Sequence, residues 1–160
     1  MADLAGRRLA EVREFNRAMA ELVKRYQFRD QHEIVAHGLS VSQAYALRAL
    51  FESGPLSMGA LAGELRLSVS AATRVVDPLV GRRLVRRAAG TTDRRVRTTA
   101  LTAAGKQLWE RLEADLLDID RRVLAGLSAR ERGAVVRVLV ALGRETDVWR
   151  DAQRNGESPR

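Results

Sequence analysis

Only Arg66 and Leu67 separate two stretches that each open on a serine able to cap a helix. In LSMGALAGELRLSVSAATRVVDPLVGRRL, residues 56–84, Ser57 can accept a bond from the first-turn backbone and start a short helix reaching Leu65. Ser68 can do the same for a helix beginning at Val69. So short a link forces the second helix to turn sharply away from the first, the geometry of a helix-turn-helix. A plain helical hairpin in a bundle could begin this way but would continue as helix. Here LVRRA (84–88) and RVRTTAL (95–101) are short and rich in β-branched residues, with AGTTD between them as a turn signal. A two-stranded hairpin directly after a helix-turn-helix is a wing. In its second strand Val96, Thr98 and Ala100 alternate with Arg95, Arg97 and Thr99, so one face can pack inward while the other stays basic.

Long helices flank this unit. Residues 4–28 place Val12, Phe15, Met19, Leu22 and Tyr26 at spacings of three and four. Ser40 and Gln43 stand in capping-box spacing before a helix from Val41 to about Phe51, which ESGP ends. Thr102 can cap a helix to about Ala125, with Leu108, Leu112, Leu116, Ile119 and Val123 on one face and Trp109 beside it. Ser128 and Glu131 form another capping box, opening a last helix to about Trp149 through Val135, Val138 and Leu142. The predicted fold class is mainly α with a small two-stranded β-wing, a winged helix-turn-helix flanked by helices. Residues 1–160 read as one domain, with a lobe at about 40–101, helical arms at about 4–37 and 102–150, and a polar, disordered tail at 151–160.

Charge narrows the function. Of the chain's net +8, a local +7 lies between Arg66 and Arg97, where nine arginines face Asp77 and Asp93. Such a cluster is either a solvated face or a footprint for phosphates, whose counterions it releases. Its confinement to one fifth of the chain favours the footprint. There is no cysteine, which excludes disulfides and thiol chemistry. No signal-peptide core and no apolar run of membrane length is present, so the expectation is a soluble cytoplasmic protein with no membrane partner. An enzyme would need a catalytic constellation, and neither a nucleophile elbow nor a phosphate-cradling glycine loop occurs. His32 and His37 are too far apart to share a helix face and lack further ligands, so packing or pocket-lining outweighs metal binding. No cofactor is expected. A basic protein that coats nucleic acid without regard to sequence is the alternative to a sequence reader.

The ordered set LSVSQAYALRAL, LSMGALAGELRLSVSAATRVVDPL, DRR in the wing and LTAAG resembles the MarR (multiple antibiotic resistance regulator) family of transcription factors. The likeness covers about residues 39–105. It implies a homodimeric regulator, typically a repressor, whose terminal helices intertwine while two lobes contact a roughly palindromic double-stranded DNA operator. It also implies a small, often phenolic, effector bound near the junction of the first, second and fifth helices. Dimerisation residues would then be Val12, Phe15, Met19, Leu112, Leu116, Ile119, Val135, Val138 and Leu142. Two departures stand out. The family pattern usually has glycine where this chain has Arg83, and Pro78 sits inside the recognition helix. Proline there removes a backbone bond and costs about 3 kcal/mol in a straight helix, unless Asp77 caps a restarted turn.

On a helical wheel from Val69, the apolar Ala72, Val75, Val76 and Leu79 share one side. Ser70, Thr73, Arg74 and Asp77 share the other, a face able to grip phosphates and read guanine with an arginine fork. Ser68 and Ala71 complete the DNA-contacting end of that helix. Arg86 suits a phosphate contact, and Arg94 and Arg95 would sit at the wing tip, reaching a narrow minor groove. Asp93 is the only carboxylate between Asp77 and Glu110, and it would repel DNA. Either it shapes the turn or, as the family's wing pattern implies, it orients Arg95. The second role gives a signed prediction. Asp93→Ala should weaken operator binding although it removes a negative charge, and Arg95→Ala should add little to that loss in a double-mutant cycle. Tighter binding by Asp93→Ala would leave only the turn-shaping role.

Overall fold

The computed structural model describes residues 2–89 and 97–154, with side chains described for 7–88 and 98–147. Its elements are α1 (Ala2–Ala36), α2 (Val41–Ser53), β1 (Leu56–Ser57), α3 (Met58–Glu64), α4 (Val69–Gly81), β2 (Val85–Ala89), β3 (Arg97–Leu101), α5 (Ala103–Ala125) and α6 (Ala129–Arg154). The chain divides into two compact units, Met1–Leu116 and Leu117–Arg160, where the sequence reads as one domain.

The capping serines start their helices. The Ser40 side chain accepts from Gln43 N–H while Gln43 reaches back to the Ser40 N–H, so both ends of the box are closed. Ser57 accepts from Ala60 N–H and Ser68 from Ala71 N–H, bounding α3 and α4. At the start of α6, Ser128 and Glu131 exchange the same pair of bonds. Hydrogen bonding to the Glu131 carboxylate, first from the Ser128 side chain and then from its backbone, holds it below its ordinary range. α1 continues to Ala36 because nothing breaks the backbone ladder before Gly38. α6 likewise continues through Arg154, so residues 151–154 are helical rather than part of a disordered tail. Residues 155–160 lie outside the described residues.

Three helices end in the same way. Gly38, Arg66 and Arg83 adopt positive φ, at 70°, 55° and 58°. In each case the next residue's N–H bonds back five residues, as Leu39 to Ile34, Leu67 to Ala62 and Leu84 to Leu79. These are Schellman endings, in which glycine is the residue without steric cost. Arg83 therefore occupies, in left-handed conformation, the position where the family pattern places glycine. Pro78 neither breaks nor restarts α4, which runs through it to Gly81. The lost backbone bond is tolerated because Val76 and Leu79, on either side of it, are fully buried. Each such side chain contributes about 1.5–3 kcal/mol.

The core of the first unit joins α2, α3, α4, β2 and α5 through Leu47, Leu61, Val76, Leu79, Val85 and Leu112. Leu112 is fully buried there, so it serves this core and offers no surface to a second subunit. Trp109 is also a core residue, its ring 6.4 Å from that of Phe51. The sheet has three antiparallel strands in the order β1-β3-β2, not two. β1 is only Leu56 and Ser57, paired with Thr99 and Thr98. Thr99 is buried rather than on a basic outer face. The Thr99 hydroxyl donates to Met58 Sδ at 3.2 Å.

The start of α5 is locked to the turn between α4 and β2. The Thr102 hydroxyl lies 2.7 Å from the Arg83 carbonyl, and its N–H donates to the Leu84 carbonyl at 3.0 Å. Thr102 Oγ1 also accepts from Gly105 N–H at 3.0 Å. A Cβ on Gly105 would fall 1.9 Å from the Leu84 carbonyl oxygen. Two stability predictions follow from this junction, both measured by chemical denaturation. Gly105→Ala should cost at least about 2 kcal/mol, because backbone must move to admit the methyl group. Arg83→Gly should gain about 0.5–1 kcal/mol, the relief of left-handed strain less the added chain entropy.

Candidate nucleic-acid interface

α4 is two-sided as the wheel predicts. Ala72, Val76 and Leu79 are buried, while Ser70, Arg74 and Asp77 are exposed and Ala71 and Thr73 half-buried. The polar groups divide by what already occupies them. Ser68 is committed to the helix start and lies 3.1 Å from the Ser70 hydroxyl. Thr73 turns its hydroxyl onto the Val69 carbonyl at 2.8 Å. Arg74 has no hydrogen-bond or ionic partner among the described residues. Its guanidinium is thus available to an external acceptor without first breaking an internal pair.

Asp77 does not cap a new turn. Its carboxylate accepts from Arg87 Nη2 at 2.6 Å, a pair that ties α4 to β2. Both side chains are partly exposed, so the bond itself is worth no more than about 1 kcal/mol. Its larger effect is on charge, since it cancels the one acid on the polar face of α4. Neighbouring Arg86 is exposed and, like Arg74, has no partner among the described residues. Asp93, Arg94 and Arg95 lie outside the described residues.

Two arginines to which the sequence assigns no role fasten this face. Arg87 was one of several equivalent charges in the sequence, and Arg82 another; Arg82 Nη1 donates to the Gly38 carbonyl at 2.6 Å. The histidines differ from each other. His32 is exposed, whereas His37 Nε2 lies 2.8 Å from Asp115 Oδ2. No cluster of three potential metal ligands occurs among the described residues.

Two clefts of the first unit flank α2. One of about 450 Å³ lies between α1 and α2, lined by Val23, Tyr26, Ile34, Val41 and Tyr45 with Gln27, Asp30 and Gln31. The Asp30 carboxylate is held by Arg29 at 2.6 Å, and that guanidinium also covers the Tyr26 ring. The other, about 540 Å³, lies between α2 and the turn joining α3 to α4. No described helix is long and apolar enough to cross a membrane.

The MarR family model matches residues 39–96. An HTH-type transcriptional repressor of Mycobacterium tuberculosis is 34% identical over 106 residues, covering 66% of this chain and 76% of that protein. The crystal structure of RV1404 from Mycobacterium tuberculosis superposes with a TM-score of 0.71 at 26% identity, over 92% of this chain and 96% of that one. A Staphylococcus aureus MepR mutant bound to an oligodeoxyribonucleotide superposes with a TM-score of 0.60, over 82% and 97% of the two chains. At 15% identity, that last likeness is one of fold alone.

Arg74 and Arg86 should behave differently toward DNA. Arg74→Ala should lower the preference for a specific duplex by about 1–3 kcal/mol, as loss of a base-reading fork does. Arg86→Ala should weaken specific and random DNA in equal proportion, as loss of a phosphate contact does. Equal proportional losses for both variants, in paired titrations, would remove Arg74 from the reading face.

Proposed function

The chain belongs to the MarR family of transcriptional regulators, and from that membership we propose that it is a homodimeric, ligand-released repressor reading a roughly palindromic operator. The observation that carries this reading is the division of α4. Its apolar side is sunk in the core, and its polar side holds Arg74 without a partner among the described residues, with its one acid neutralised by Arg87. A protein that coats DNA without regard to sequence needs charge but not a rigid helix presenting an open arginine fork. In the proposed complex Ser68, Ser70, Ala71, Thr73 and Arg74 enter the major groove and Arg86 meets a phosphate. Arg94 and Arg95, the latter oriented by Asp93, reach the adjacent minor groove.

The homodimer accounts for apolar surface that a single chain leaves open. Val12 and Phe15 on α1 are 61% and 50% exposed, and Val138 on α6 is 56% exposed. Exposed apolar side chains of that size on each helix are what a second subunit would cover. Met19, Leu116, Ile119 and Leu142 are half-buried already, and Val135 is exposed. We assign the effector to the cleft between α1 and α2. Two tyrosines, two glutamines and a carboxylate already paired with Arg29 suit an uncharged aromatic molecule better than an anion.

Competition tests the reading directly. The protein should hold a selected operator against a large excess of random duplex, by roughly a thousandfold or more in affinity. A coating protein would release it. Sedimentation tests the assembly: the wild-type chain should be dimeric at micromolar concentration, and Val138→Arg should yield monomers with weakened operator binding. A folded wild-type monomer under those conditions would contradict the homodimer.

A further inference from the structure

We infer that Arg82 is a positioning residue for DNA reading, acting as the joint through which α1 and α5 set the recognition helix. The inference rests on the proposal that α4 reads DNA. Arg82 caps the C-terminal end of α4, where its backbone N–H bonds to the Pro78 carbonyl. From there its side chain reaches back 44 residues to the Gly38 carbonyl at 2.6 Å. That carbonyl belongs to the Schellman turn ending α1, and a Cβ built on Gly38 would stand 3.7 Å from Arg82 Nη2. The guanidinium is therefore seated on the turn itself.

The same turn is held from a second side. His37, one residue before Gly38, bonds to Asp115 of α5 at 2.8 Å. Leu39, one residue after it, is buried in the core. Three consecutive residues thus bind α1 to α5, to the end of α4 and to the core. A backbone carbonyl accepts wherever the turn places it, so Arg82 responds to the position of the turn and not to the identity of a side chain. A shift of α1 against α5 moves the Gly38 carbonyl, and the Arg82 end of α4 either follows or loses its bond. Arg74 lies eight residues before Arg82 on the helix that Arg82 caps, so a tilt at one end displaces the reading face at the other.

The test uses three single variants and one double in the full chain. Arg82→Met keeps the aliphatic stem but removes the donor. It should weaken operator binding about tenfold or more and random-DNA binding by much less, while Arg82→Lys, which keeps a donor and the charge, should recover part of the difference. Asp115→Asn makes the protein more positive, so electrostatics alone predicts tighter binding; a joint predicts weaker operator binding instead. The double variant Arg82→Met/Asp115→Asn should lose at least about threefold less than the product of the single losses, the coupling of groups that act together. Additive losses, equal losses on operator and random DNA, or tighter operator binding by Asp115→Asn would each overturn the joint. Amide exchange in the free protein reads the same joint without DNA. Asp115→Asn should speed exchange at Arg83 and Leu84, and unchanged exchange there would overturn it. A wild-type chain that failed to prefer its operator would instead count against DNA reading by α4.

Discussion

The contact between the first turn of α5 and the carbonyl of Leu84 holds the lobe in register. Glycine at position 105 lets the helix approach that carbonyl to a distance no side chain permits. Thr102 fills the remaining hydrogen-bonding capacity of Arg83 and Leu84 while starting α5. Because Leu84 also closes the ending of α4 and precedes β2, one backbone position fixes the recognition helix, the wing and α5 against each other. A buried carbonyl left without partners would cost more than any surface bond in the lobe contributes. The arrangement is therefore maintained by satisfaction of backbone groups and not by side-chain charge.

That division of labour leaves the arginines free for other tasks, and they are used unequally. Arg82 and Arg87 are spent on internal contacts that fasten α4 to α1 and to β2. Arg83 supplies a left-handed backbone turn and a carbonyl. Arg74 and Arg86 have no such duty among the described residues. A net positive lobe attracts any polyanion, but discrimination among sequences requires a donor fork held in a fixed place. The internal arginines provide the fixing, and in the proposed complex Arg74 would provide the fork.

The sequence was most legible where the interaction is local. The capping serines at 40, 57, 68 and 128 announce their helices because donor and acceptor lie within three residues. The two-sided pattern of α4 was equally plain, since helical period alone sorts Ala72, Val76 and Leu79 from Ser70 and Arg74. β1 could not be seen, because two residues carry no alternation and its partner lies more than forty residues on. Nor could the sequence distinguish Leu112, fully buried, from Leu116 on the same stripe, as their burial depends on what packs over each. Pro78 reads as an interruption by local propensity, which the core contacts around it override. Which of nine arginines meets Asp77 or Gly38 is a fact of tertiary distance, and no local rule selects it.

Selection from a library of random duplexes with the purified wild-type protein tests sequence reading by α4 most directly. If two copies of this helix read DNA from a twofold dimer, the recovered sequences should converge on an inverted repeat. Its half-sites should be centred about ten base pairs apart, one turn of the duplex. Recovery of duplexes with no shared motif, at affinities set only by length and salt, would contradict it.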